Sequence, residues 1–171
     1  LEHVYKRVAL CESLTDVFVA TCDDEIMDAV HAFGGRAVMT STTHQRASDR
    51  IAEAAQSLDA DIVVMIQGDE PMVVPEMIDT AVAPMTQDPG ILCVNLAKRI
   101  ETEGEYQDPN TIKVVIDLKG DALYFSRQAV PTNHIQPFGE IPVFKQVCII
   151  PFQRDFLLTY ARLEPTALEV A

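Results

Sequence analysis

The chain has 171 residues, 48% of them apolar, which is enough for one compact domain with a substantial core. Its 13 basic residues against 26 acidic ones leave a net charge of -13, which repels a phosphate backbone over most of the surface and argues against nucleic acid as a partner. No apolar stretch reaches the roughly 18 to 20 residues that span a bilayer, no basic segment followed by an apolar one opens the chain, and the widely spaced cysteines form no C-x-x-C pair; a cytoplasmic protein with reduced thiols is expected.

Leu1, Val4, Tyr5 and Val8 fall at helical spacing with no capping residue ahead of them, so the sequence opens inside a helix. Residues 17–21 read as a buried strand, and Asp23 caps a helix carrying Ile26, Met27 and Val30 that stops at Gly34-Gly35. The unit repeats: a strand at 37–39, a polar loop at 40–47, and a helix opened by Ser48 with Ile51, Ala54, Ala55 and Leu58 on its inner face. Residues 61–66 form another apolar strand, and Pro75 starts a helix that runs to about Met85. After residues 91–96 the character of the sequence changes. The strands 113–117 and 122–125 then flank a hairpin turn at Gly120, marking an antiparallel insertion. An extended Pro- and Gly-bearing excursion (130–142), a strand (143–150) and a helix (154–161) complete the pattern. Strands alternating with helices imply right-handed crossovers and a mainly parallel sheet, whose ligands sit beyond the carboxyl ends of the strands. The loops 21–24, 40–50 and 67–71 all fall on that edge.

Gln67-Gly68-Asp69-Glu70-Pro71 follows an apolar strand directly and delivers an amide and two carboxylates to the ligand edge. A carboxylate there suits Mg²⁺, a hard ion that takes one or two protein carboxylates and fills its shell with phosphate oxygens and water; Asp69 is the candidate ligand, and a plain polar turn is the alternative. His44-Gln45-Arg46-Ala47-Ser48-Asp49-Arg50 joins a loop to a helix start, where free N–H groups and the positive end of the dipole favour an anion and Arg50 adds a fixed charge. A simple Ser48 cap with solvated arginines accounts for the same residues. Asp23 is adequately explained as a cap. No G-x-G-x-x-G follows a strand and no G-x-x-x-x-G-K occurs, which disfavours a dinucleotide-dependent dehydrogenase and a P-loop enzyme; Asp69-Glu70-Pro71 is not the Asp-x-Asp of a glycosyltransferase.

The runs Val19-Ala20-Thr21-Cys22-Asp23-Asp24-Glu25-Ile26, Ala32-Phe33-Gly34-Gly35, Met39-Thr40-Ser41, Ser48-Asp49-Arg50-Ile51-Ala52-Glu53, Gln67-Gly68-Asp69-Glu70-Pro71, Asp108-Pro109-Asn110, Ala122-Leu123-Tyr124-Phe125-Ser126-Arg127 and Arg154-Asp155-Phe156-Leu157 occur in the order seen in 3-deoxy-manno-octulosonate cytidylyltransferases, which the chain resembles over nearly its whole length. The resemblance implies a three-layer α/β/α nucleotide-diphospho-sugar transferase fold with a mainly parallel sheet and an antiparallel insertion. It implies a homodimer in which CTP and Mg²⁺ activate an acidic 3-deoxy sugar for lipopolysaccharide or surface-polysaccharide synthesis. It further implies catalytic roles for Arg50 and Asp69, nucleotide contacts from Ser48, Asp49, Arg50 and Gln67, the metal on Asp69, and Arg127, Lys145 and Gln146 facing the sugar. On this reading residues 1–171 form a single cytidylyltransferase domain lacking the family's N-terminal nucleotide-binding loop, with its Pro-Gly-Lys, and a C-terminal segment that Pro165-Thr166-Ala167-Leu168-Glu169 approaches. The chain also departs from the family at Lys145-Gln146-Val147-Cys148-Ile149-Ile150, where the family has Lys-His-Ile-Gly-Ile-Tyr, and at Ser48, where it has Thr. Loss of the His and Tyr changes the sugar pocket and leaves open an amino-octulosonate or other acidic sugar as substrate, or an inactive nucleotide-binding core.

Overall fold

The computed structural model describes residues 1–132 and 135–167. Its contacts divide the chain into two units, Leu1–Val94 together with the chain from Ile149 onward, and Asn95–Cys148.

The first unit opens with α1 (Glu2–Val8), which buries Val4 and Val8. The strand β1 (Val19–Thr21), helix α2 (Asp24–Ala32) and strand β2 (Ala37–Met39) make a βαβ unit with β1 and β2 parallel, Val19 opposite Ala37 and Thr21 opposite Met39. Asp23 caps α2 as expected: its Oδ1 accepts from the Glu25 N–H at 2.9 Å and the Ile26 N–H at 3.3 Å. The helix ends where Gly34 turns left-handed at φ 79° and the Gly35 N–H bonds back to the Val30 carbonyl at 2.9 Å. A Cβ on Gly35 would stand 2.5 Å from the Phe33 ring, so a larger residue there forces Phe33 to move. Helix α3 (Ala47–Gln56), strand β3 (Ile62–Ile66) and helix α4 (Pro75–Gln87) follow, the last with Pro75 in its first turn. Helix α3 begins one residue earlier than Ser48 and without a side-chain cap; Ser48 lies buried in the first turn instead of capping it.

The second unit is an antiparallel sheet of β4 (Leu96–Arg99), β5 (Lys113–Ile116), β6 (Ala122–Ser126) and β7 (Phe144–Val147) in the order β4-β7-β5-β6, with the short helix α5 (Glu103–Gln107) between β4 and β5. The expected β5–β6 hairpin is present. Its turn is held by the Asp117 carboxylate, which accepts from the Lys119 and Asp121 N–H groups at 2.8 and 2.9 Å, and Gly120 takes φ 93°. Ile100, Tyr106, Ile141 and Val143 form a core cluster on one side, with Phe138 stacked on Tyr106 at 5.6 Å between centroids.

The chain then returns to the first unit through β8 (Ile149–Gln153), antiparallel to β3, and α6 (Arg154–Tyr160). Here α3, β3, β8 and α6 bury Ala52, Ala55, Met65, Phe152 and Leu157 together.

Over residues 91–96 an isolated bridge pairs Cys93 with Phe152, and a strand begins at Leu96 and carries Lys98 and Arg99, charges suited to the edge position of β4. In two places the pattern predicted from sequence differs from the fold. The single strand expected over 143–150 is two, parted at Cys148, because β7 joins the four-stranded sheet and β8 pairs with β3. Parallel pairing is confined, among the described residues, to β1 and β2, since the partner of β3 is the returning β8. Within the extended stretch expected at 130–142, positions 133 and 134 lie outside the described residues, as do Leu168 and Glu169 of the 165–169 segment.

Candidate active site

The carboxyl ends of β1 and β2 are joined by Thr40, whose N–H and Oγ1–H both donate to the Thr21 carbonyl, at 2.8 and 3.0 Å. Helix α3 clasps the loop that follows. Arg50 Nη1 donates to Thr40 Oγ1 at 2.6 Å and to the Ser41 carbonyl at 3.3 Å, while one turn later Glu53 Oε2 accepts from the Ser41 N–H at 2.9 Å and pairs with His44 Nε2. The His44 hydrogen bond and then the Ser41 N–H hold the Glu53 carboxyl below its usual range, with Arg50 adding in the same direction. Arg46 Nε donates to both Asp49 oxygens at 3.1 and 3.0 Å, and its guanidinium lies over the Tyr160 ring of α6. Of the expected nucleotide residues, Ser48, Asp49 and Arg50 therefore share the first turn of α3, but the Asp49 carboxylate is committed to Arg46 and Arg50 spends Nη1 on the loop. What remains is a fixed positive charge and a helix start, both suited to an anion.

Gln67 and Asp69 follow β3 on the turn closed by Glu70 N–H to Gln67 O at 3.2 Å, and both side chains are exposed. Helix α3 packs on both β1 and β3, but among the described residues no hydrogen bond or ion pair joins Asp69 or Gln67 to Arg50. The Asp69 carboxylate has no side-chain partner there at all, so both oxygens are open to a hard cation. No cluster of three or more His, Cys, Asp or Glu with metal-holding geometry occurs among the described residues. A single carboxylate that leaves the rest of the shell to phosphates and water fits Mg²⁺ chemistry, and Asp69 meets that requirement.

The residues expected to face the sugar belong to the second unit. Arg127 is exposed and its Nη1 donates to the Pro109 carbonyl at 3.1 Å. Lys145 and Gln146 are consecutive in β7 and so point to opposite faces of the sheet. Lys145 pairs with Glu105 of α5, on the face that also carries Tyr106; Gln146 Nε2 donates to Asn95 Oδ1 at 2.6 Å on the other. Sequence reasoning passed over Lys113, Asn95, Glu105 and Glu53. Lys113 is fully buried at 0% exposure and its ammonium donates to the carbonyls of Asp108, Thr111 and Arg127 at 2.8, 2.7 and 2.7 Å, which ties the Asp108-Pro109-Asn110 turn to the end of β6. A lysine among Val and Ile in a strand is the one signal that could have singled it out.

The family model for cytidylyltransferases matches residues 1–171. A 3-deoxy-manno-octulosonate cytidylyltransferase of Geobacter metallireducens is 44% identical over 180 aligned positions that cover 100% of this chain and 71% of the relative, and one from Geotalea uraniireducens is 43% identical over 100% and 72%. The chain belongs to the 3-deoxy-manno-octulosonate cytidylyltransferase family. Its fold agrees: a solved CMP:2-keto-3-deoxy-manno-octonic acid synthetase complexed with CTP superposes with a TM-score of 0.91 at 36% identity, over 99% of this chain and 69% of that one. A 4-diphosphocytidyl-2C-methyl-D-erythritol synthase from Anaerococcus prevotii, 16% identical over 96% of this chain and 66% of that one, with a TM-score of 0.57, shares the fold alone. Among the described residues no helix of this cytidylyltransferase is long and apolar enough to cross a membrane.

Proposed function

We propose that this cytidylyltransferase couples CTP to a 3-deoxy-octulosonic acid, giving the CMP-sugar and pyrophosphate for lipopolysaccharide or surface-polysaccharide synthesis. The anomeric hydroxyl of the sugar acid attacks the α-phosphorus of CTP and the β,γ-pyrophosphate leaves. Positioning and charge neutralisation, not a covalent nucleophile, carry such a transfer. Arg50 and the opening turn of α3, with Ser48 and Asp49, take the nucleotide's negative charge, and Gln67 lies at the neighbouring strand end. Asp69 holds Mg²⁺, which when bound supplies charge neutralisation at the phosphates. Arg127 meets the sugar carboxylate, as a guanidinium suits that group in charge and geometry.

The observation that carries the reading is the unpartnered carboxylate of Asp69 at the end of β3, in a chain of this family. Cytoplasmic residence is part of the proposal and is consistent with free thiols at Cys11, Cys22, Cys93 and Cys148. So is a homodimer, for which the exposed Leu123, Tyr124 and Phe125 of β6 offer apolar surface. The test is pyrophosphate release with CTP, Mg²⁺ and 3-deoxy-manno-octulosonate. Asp69→Asn lowers it by about 100-fold or more with an unchanged melting temperature; turnover that persists in this variant removes the metal assignment.

A further inference from the structure

An ammonium group carries three protons and no acceptor, so its hydrogen bonds can be counted to completion. On Lys113 all of them go to backbone: to the carbonyls of Asp108 and Thr111 at 2.8 and 2.7 Å, and to that of Arg127 at 2.7 Å. At 0% exposure and with its donors filled, this lysine has nothing to offer a ligand directly. What it does is join two pieces of backbone. One is the turn 108–111, already stiffened by Asp108, whose Oδ1 accepts from the Asn110 N–H at 2.9 Å and from Asn110 Nδ2 at 3.0 Å. The other is the end of β6, where Ser126 stands opposite Lys113 and Arg127 comes next. The same turn then receives the far end of Arg127, whose guanidinium donates through Nη1 to the Pro109 carbonyl at 3.1 Å. Backbone and side chain of Arg127 are thus tied to one turn, the backbone through Lys113. The other guanidinium N–H groups meet no carboxylate among the described residues, and Arg127 is exposed.

We propose that Lys113 is the positioning residue of Arg127, holding turn and strand end in the one relation that sets the free guanidinium donors outward for an anion. A guanidinium grips a carboxylate best through two parallel N–H bonds, a geometry that a freely rotating side chain reaches only by giving up rotamer entropy. Lys113 moves that ordering into the folding of the second unit, so binding does not bear it. The two cations also sense each other. Burial pushes the Lys113 pKa down, with Asp108 opposing and the Arg127 charge adding to the fall, and an anion on Arg127 relieves this repulsion. That the anion is the sugar carboxylate rests on the reading of Arg127 under the proposed function; the positioning itself is a property of the protein alone.

The test pairs two measurements on the full-length enzyme: nitrogen-15 relaxation at Arg127 Nε without substrate, and KM for 3-deoxy-manno-octulosonate and for CTP by pyrophosphate release. Lys113→Met removes every donor of the brace, and Lys113→Gln, which keeps an amide donor and folds more readily, removes part of it. In both, the order of the Arg127 side chain falls. Lys113→Met raises the sugar KM by about 10-fold and leaves the CTP KM within about twofold. In an Arg127→Met background the same substitution changes the sugar KM by less than about twofold while still lowering the urea midpoint, since a residue that acts through Arg127 has nothing left to act on. Unchanged order at Arg127 in a folded Lys113→Gln enzyme overturns the proposal. So does an equal rise in both KM values, or a sugar effect that persists without Arg127, because either marks a merely structural lysine. A sugar KM unmoved by Arg127→Met alone brings down the carboxylate assignment instead, and the relaxation result tells that failure from this one.

Discussion

Lys113→Met puts a number on the buried lysine that braces the second unit. In the native chain its ammonium is sealed at 0% exposure against the carbonyls of Asp108, Thr111 and Arg127, at 2.8, 2.7 and 2.7 Å. Hydrogen bonds from a charged donor contribute about 1.5 to 3 kcal/mol each. Against them stands the cost of burying the charge, which is several kcal/mol and which methionine does not incur; that burial also pushes the Lys113 pKa down, opposed in part by Asp108. The variant leaves the carbonyls of Asp108, Thr111 and Arg127 without this donor, and water can reach those on the exposed turn more readily than the rest. The expected net loss is about 3 kcal/mol, about 1 kcal/mol for each of the carbonyls left without its donor, the lower end of the range for an unsatisfied buried acceptor because the cost of burying the charge disappears with it. With a urea slope of about 2 kcal/mol per molar, the unfolding midpoint followed by circular dichroism falls by about 1.5 M. Hydrogen exchange should speed up first at residues 108–111 and 126–127. A midpoint within about 0.2 M of wild type refutes the reasoning, because it means the brace contributes nothing beyond what a methionine packs.

In the first unit, Leu157 is fully buried among Ala52, Ala55, Met65 and Phe152, so Leu157→Ala should destabilise by about 3 kcal/mol in the same urea titration; a loss under 1 kcal/mol means the site collapses around the smaller residue. The Glu53 carboxyl, held below its usual 4.5 first by His44 and then by the Ser41 N–H, gives a pH signature. Its folded pKa is the lower one, so the unfolded chain takes up the proton first. The contribution is complete above pH 4.5 and is lost as the pH falls through the folded value. Glu53→Gln should therefore flatten the acid limb of melting temperature against pH while leaving the alkaline limb alone, and identical acid limbs in the two proteins exclude the clasp.

Local chemistry was legible in the sequence wherever one residue decides it. Asp23 caps α2, Gly34 ends it, Pro75 opens α4 and Gly120 turns the β5–β6 hairpin, because each needs only its own neighbours. The small helix α5 was missed although Thr102 and Glu105 stand at capping-box spacing and the Glu105 N–H donates to Thr102 Oγ1 at 3.3 Å; Gly104 between them masks a five-residue helix. The change of sheet between β7 and β8 left no trace, since a continuous apolar run looks alike whichever strand it pairs with. The ligand edge of the first unit was read from topology, and Thr40 does bind the ends of β1 and β2 together. Partnerships of individual side chains were not readable. Nothing in the spacing says that Asp49 is spent on Arg46, or that the carbonyls of Asp108, Thr111 and Arg127 converge on Lys113.

The chain passes from β7 to β8 through Cys148 alone, and the two strands answer to different partners in different sheets. A one-residue deletion or duplication at this point leaves no slack to absorb it: either Lys145 and Gln146 exchange sides, or Met65 and Val63 lose their native opposite numbers Ile150 and Phe152. Length variation and peptide-tag insertion should thus be excluded from this junction and tolerated at the Leu118-Lys119 hairpin tip, a contrast that a scan of single-codon insertions across positions 113–153 would expose directly.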